Sequence, residues 1–116
     1  MSHGAKDADY REALADILDA CRKARTFVSE LSKAQFMDDD KTRFAVVRAI
    51  EIIGEAARAV PAEERRRHPD IPWRAMAGMR DKLIHHYAAV NWAVVWRTIQ
   101  EDLPALERQV RMILES

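Results

Sequence analysis

Apolar side chains recur at Tyr10, Leu14, Ile17, Cys21, Ala24, Val28 and Leu31, in alternating steps of four and three. Such steps hold one stripe on one side of an α-helix, so the chain from about Asp7 to Gln35 reads as an amphipathic helix or a helix pair. Cys21 lies inside the stripe and reads as a small buried hydrophobe. The polar run Met37-Asp38-Asp39-Asp40 reads as a turn in which Asp39 or Asp40 caps the next helix. That helix, about Lys41 to Val60, spreads Phe44, Val46, Val47, Ile50, Ile52, Ile53, Ala56, Ala57 and Val60 over most of its circumference. It leaves a narrow polar stripe of Arg48, Glu51, Glu55 and Arg58, spaced for Arg48–Glu51 and Glu55–Arg58 pairs. A helix apolar nearly all round is central, or it faces both a core and a partner.

Pro61 stands where a short helix would begin, at the first helical position. Pro69 and Pro72 bracket a loop, and a third long helix is predicted from Trp73 or Met76 through Tyr87. Asn91 can cap a fourth, whose stripe is Trp92, Trp96, Ile99, Leu103, Leu106, Val110 and Ile113. Pro104 interrupts that stripe and should kink the helix near Asp102 or start a new one. No segment alternates at period two long enough to make a strand. The expected architecture is therefore all-α: one domain over 1–116, a bundle of four long helices plus a short one, with residues 1–6 flexible.

A chain of 116 residues suits one domain and can bury a core without staples. It has 19 basic and 19 acidic side chains, which excludes holding nucleic acid by bulk positive charge. The charge is uneven, however: residues 1–64 carry net −3, residues 65–86 net +4 and residues 87–116 net −1. The basic segment contains Arg65, Arg66, Arg67, Arg74, Arg80 and Lys82, and three of the four histidines. A local basic patch with histidines suits phosphate contact, although cations near a helix C-terminus also suit the helix dipole. A single cysteine excludes an intrachain disulfide, and none of the three glycines opens a phosphate-cradling loop. No apolar run nears the ~18 residues of a membrane span, so a cytoplasmic location without membrane contact is expected.

The segment that carries chemistry is Met79-Arg80-Asp81-Lys82-Leu83-Ile84-His85-His86-Tyr87. On a straight helix Arg80 falls on the apolar side with Met76, Leu83, Ile84 and Tyr87, where a charge must be paired. Glu51 and Glu55 are the candidate partners; a cleft between subunits is the alternative. His85 falls about 140° from Arg80 at 100° per residue, so a site using both needs a distorted helix or two chains about a twofold axis. Histidine can move a proton from a ribose 2′-hydroxyl or to a leaving oxygen, and an arginine fork can steady the phosphorane charge. Such chemistry requires no metal, and the histidine spacing supplies no metal-ligand set.

The spacing Arg80-x4-His85-x-Tyr87 resembles the R-x4–6-H-x-Y signature of the HEPN superfamily. Ala49-Ile50-Glu51-Ile52-Ile53-Gly54-Glu55-Ala56-Ala57, His68-Pro69-Asp70-Ile71-Pro72-Trp73-Arg74, Gly78-Met79-Arg80-Asp81 and Val94 through Pro104 resemble blocks of its HepT-like family, in order across about residues 7–115. The resemblance implies a homodimeric HEPN bundle, the toxin half of a bacterial type VII-like toxin–antitoxin pair. Its partner would be a minimal nucleotidyltransferase antitoxin, MntA-like. The toxin would be a metal-independent endoribonuclease needing no cofactor. Arg80 and His85 would be catalytic, Asp81 an auxiliary polar residue, and Tyr87 the tyrosine that the antitoxin silences by AMPylation. Arg65, Arg66, Arg67, Arg74 and Lys82 would bind RNA. Asp81 departs from the asparagine many relatives carry. The alternative function is a non-catalytic helical binding module that serves as regulated partner and nucleotidylation acceptor of the transferase.

Overall fold

The computed structural model describes the backbone of residues 2–116 and the side chains of residues 10–116; the expected flexible lead over 1–6 lies outside the fully described residues. The order is α1 (Ser2–Val28), α2 (Lys33–Asp38), α3 (Asp40–Ala59), α4 (Ala62–Arg67), α5 (Trp73–His85), a 3₁₀ turn (Tyr87–Ala89), α6 (Trp92–Arg97), a π turn (Thr98–Asp102) and α7 (Leu103–Glu115). Among the described residues there is no strand, and no helix is long and apolar enough to cross a membrane. The bundle is all-α, as its periodicity predicts. The Trp92-to-Glu115 run supplies the fourth long member.

The first stripe forms a helix pair. Tyr10, Leu14, Ile17, Cys21, Ala24 and Val28 are buried along α1. Ser32 then opens α2 with a reciprocal cap: its hydroxyl accepts from the Gln35 N–H, and the Gln35 side chain accepts from the Ser32 N–H. Asp39, one of the two expected caps, accepts from the Thr42 N–H and starts α3. Those Thr42 hydrogen bonds, backbone first, hold the Asp39 carboxyl below its usual range. Helix α3 is central, packed between α1 and α5. Val46, Val47, Ile50, Ile53 and Ala57 are buried on it, and Val60 just past its end, each large one worth about 1.5–3 kcal/mol of transfer free energy.

Two expectations are corrected. Pro61 precedes α4 as its N-cap residue and does not occupy the first helical position. The third helix stops at His85, because His86 adopts φ −135°, ψ 42°, and Tyr87 enters a 3₁₀ turn. At Pro104 the chain begins a new helix, as expected, with Asp102 as its N-cap residue. Proline lacks an N–H and its ring presses on the carbonyl four residues back. A π turn over Thr98–Asp102 re-registers the ladder, and Pro104 lands in the first turn of α7.

Candidate functional site

Helices α3 and α5 meet at a glycine. Gly54 is buried, and a Cβ placed on it would stand 2.3 Å from Arg80 Cβ and 2.9 Å from the Met76 carbonyl oxygen. Real Cβ atoms do not approach so closely, so the stem of Arg80 lies in a notch that only glycine leaves open. The guanidinium is thereby delivered to the polar stripe of α3. Its Nη1 lies 3.2 Å from Asp81 Oδ1 and its Nη2 lies 3.9 Å from Glu55 Oε1. The expected pairing of Arg80 with Glu55 is thus present as an ion pair, too long for a hydrogen bond.

The rest of the stripe is partly rearranged. Arg48 lies 3.5 Å from Glu51, as expected, and 3.7 Å from Glu55. Arg58 turns away from Glu55 and hydrogen-bonds Asp81 of α5. Three guanidinium groups and three carboxylates therefore form one open, charge-balanced network across α3 and α5. The Arg58 hydrogen bond, and then that of Arg80, hold the Asp81 carboxyl below the usual carboxylate range. Asp81 is a clamp on two arginines and, among the described residues, makes no hydrogen bond or ion pair with His85.

His85 ends α5, exposed, and makes no hydrogen bond or ion pair among the described residues. The helix is regular up to this point, so Arg80 and His85 stay on different faces of it. Arg80 and Tyr87, expected one above the other on one face, are not so arranged, because the helix has ended. Tyr87 instead lies against Phe44 of α3, ring planes 4° apart and centroids 5.7 Å apart. Trp92 presents an edge to Tyr87 at 5.6 Å. The Gly54–Arg80 and Phe44–Tyr87 contacts fix an antiparallel register for α3 and α5. Ten residues of α3 separate them, about 15 Å at ~1.5 Å per residue, and His85 lies about 7.5 Å beyond Arg80. His85 is therefore level with the turn of α3 that carries Arg48.

The basic segment divides. Arg65, Arg66 and Arg74 line one cleft of about 660 Å³ with Arg58, floored by Trp73 and Ile71. The Trp73 indole donates to the His68 carbonyl at 3.0 Å, which pins that floor. Arg67 points to Glu64, 3.4 Å away, and Lys82 lines a different cleft with His86 and Val94. The structure does not bring those two to the arginine cluster. Two residues were missed in the sequence: Gly54, whose signal is a glycine in the middle of a strong helix pattern, and Arg58 as a partner of Asp81, which no spacing rule reveals. Among the described residues no group of three or more His, Cys, Asp or Glu side chains is placed to hold a metal ion.

The features assembled here, an all-α bundle with an arginine notched against its central helix and an exposed histidine at the end of α5, are those of a HEPN-type domain. The model of the family described as "Ribonuclease HepT-like" matches residues 17–113. The chain belongs to this HepT-like family of ribonucleases. It is 48% identical over 98 residues to "Probable ribonuclease HepT" of Thermococcus cleftensis, covering 84% of this chain and 89% of that protein. It is 44% identical over 105 residues to a "Putative RNase" of Caldanaerobacter subterraneus subsp. tengcongensis, covering 90% and 94%. A "Putative RNase" of Methanocaldococcus jannaschii is 33% identical over 105 residues, covering 90% and 96%. No solved structure matches the chain.

Proposed function

We propose that this chain is the RNA-cleaving toxin of a HepT/MntA-type toxin–antitoxin pair, acting as a metal-independent endoribonuclease. The observation that carries this is the placement of Arg80. Its stem is locked by Gly54, one side of its fork is held by Asp81, and its other side faces Glu55 across 3.9 Å. A guanidinium with five donors and one loose contact can take a phosphate oxygen by displacing Glu55. His85 supplies the proton carrier. In the proposed step the ribose 2′-oxygen attacks the adjacent phosphorus as imidazole takes its proton. The P–O5′ bond breaks, and the leaving oxygen receives a proton from an imidazolium. Arg80 balances the charge on the phosphorane.

One straight helix does not direct both side chains at one phosphate. Two copies about a twofold axis do, with Arg80 of one protomer facing His85 of its partner, and the second imidazole completing the proton traffic. The cleft of Arg65, Arg66 and Arg74, with Arg58, takes flanking phosphates; Arg67 and Lys82 add long-range attraction only. Tyr87, 38% exposed, is accessible to an MntA-like nucleotidyltransferase. That enzyme would move AMP from ATP onto its phenolic oxygen with release of pyrophosphate. The added phosphodiester stands two residues from His85 and repels RNA phosphates.

The test is cleavage of single-stranded RNA by purified protein in the presence of EDTA, with sedimentation to give the oligomeric state. Loss of cleavage in folded His85→Ala and Arg80→Lys, in a dimer, is the expected result. Full cleavage by either variant overturns the mechanism. The two carboxylates on Arg80 favour a second reading, in which the chain is only the transferase's regulated partner. AMP on Tyr87 by intact mass after co-expression, with no cleavage by the unmodified chain, would select it.

A further inference from the structure

Phe44 is out of place for a core residue. A phenylalanine 61% exposed leaves a large apolar area in water, yet it is not loose. Its ring is held parallel to that of Tyr87, Tyr87 is braced by the edge of Trp92, and the Arg43 guanidinium lies 5.1 Å over the Trp92 ring. The inner face of Phe44 is used and its outer face is free. The stack is thus a preformed series of rings whose last member is open.

Its location gives that open face a meaning. Tyr87 is two residues from His85, at most about 7 Å of chain. Phe44 lies on the same side of α3 as Arg48, four residues on, whose side chain is 63% exposed and whose turn is level with His85 along the helix axis. A strand whose scissile phosphate reached His85 would carry its neighbouring phosphate past Arg48 and its neighbouring base onto Phe44. The family argues for this occupant, since it is a family of ribonucleases, and the cation beside the platform meets its own carboxylates only at 3.5 and 3.7 Å. A free aromatic face next to a phosphate-binding cation is how single-stranded nucleic acid is held without base-edge readout.

We propose that the outer face of Phe44 is a base-stacking subsite for one unpaired nucleobase next to the scissile phosphate. It sets where along a single strand the enzyme cuts and excludes duplex RNA, whose bases are already stacked. The subsite rests on the ribonuclease reading for its role, but its occupancy is measured separately.

The experiment uses a short single-stranded 2′-O-methyl RNA bearing one 2-aminopurine, which cannot be cut through its 2′-oxygen and loses fluorescence when its base stacks on an aromatic ring. Quenching on wild-type protein is expected. Phe44→Ala should abolish it and weaken binding roughly ten- to hundredfold. Phe44→Leu, which keeps the apolar bulk, should behave like Ala, and Phe44→Trp should restore quenching. On cleavable RNA, Phe44→Ala should raise KM and spread the cut sites. Retained quenching in Phe44→Ala, or rescue by Leu as good as by Trp, overturns the proposal. So does conversion of a wild-type dimer to monomer by Phe44→Ala with quenching intact, which would make the face a protein contact. Phe44-dependent quenching with no cleavage of natural RNA by the wild type would sink the ribonuclease reading and leave the subsite standing.

Discussion

Two ion networks flank the bundle, and they are built oppositely. On the α1–α7 side Glu107 is 8% exposed, with one oxygen accepting from Arg25 at 2.9 Å and the other from Arg111 at 3.1 Å. One buried carboxylate has two cations, every oxygen is used, and the contacts have hydrogen-bond length. Nearby, burial and then Glu107 push the Cys21 thiol up to about 12, so it carries no thiolate at neutral pH. On the α3–α5 side the contacts are mostly longer, the members are partly in water, and Arg80 has one partner at 3.9 Å. The first arrangement closes a helix pair. The second keeps charge in position but available. An ion pair that serves chemistry must be breakable by its substrate, whereas one that serves the fold must not be left half-made.

Substitutions can break or sharpen that contrast, and the largest effect belongs to the open side. His85→Ala should lower RNA cleavage by about 10²–10⁴-fold, the usual worth of a positioned proton carrier. Its melting curve should not move, because His85 is exposed and makes no hydrogen bond or ion pair among the described residues; a large loss of stability would show that the open side is structural after all. Gly54→Ala should both destabilise, by about 1–3 kcal/mol for overpacking, and impair cleavage, because Arg80 must leave its notch. Denaturant unfolding read beside activity separates the two effects, and an unchanged protein would show that the notch does not position Arg80.

On the closed side, Glu107→Gln should cost about 1.5–3 kcal/mol in urea unfolding, the range for hydrogen bonds to charged groups, with cleavage unaltered. Equal loss from Asp81→Asn would erase the distinction between the networks. The smallest effect is pH-dependent. Asp81 is held below its ordinary value, so its contribution to stability is complete above the ordinary carboxylate range near ~3.9 and is lost as pH falls through the lowered value. Stability curves of wild type and Asp81→Asn should therefore differ at neutral pH and converge in strong acid. Parallel curves down to the acid limit would deny the clamp.

What was legible in the sequence was whatever rests on spacing along one helix. The stripe from Tyr10 to Val28, the Asp39 cap, the Asn91 cap and the central character of α3 all follow from period and capping chemistry. The Arg80–Glu55 ion pair was also foreseeable, because a charge on an apolar stripe must find an opposite charge. Motif blocks in order carried the family. Contacts between helices were beyond any spacing rule. Arg58 had an equally spaced partner in Glu55 and took Asp81, since the choice depended on how α5 lies across α3. Phe44 read only as one more apolar position of α3, because hydrophobicity says that a side chain prefers burial, not whether a neighbour arrives to cover it. His86 ended α5 two residues short of Tyr87, and that bend, which no residue preference dictates, moved the tyrosine from beside Arg80 to Phe44. The chain thus determines by itself which elements form, because helix periodicity and caps are local. Only the packed structure decides which guanidinium stays loose and which ring stays bare, because those depend on surfaces supplied by other helices.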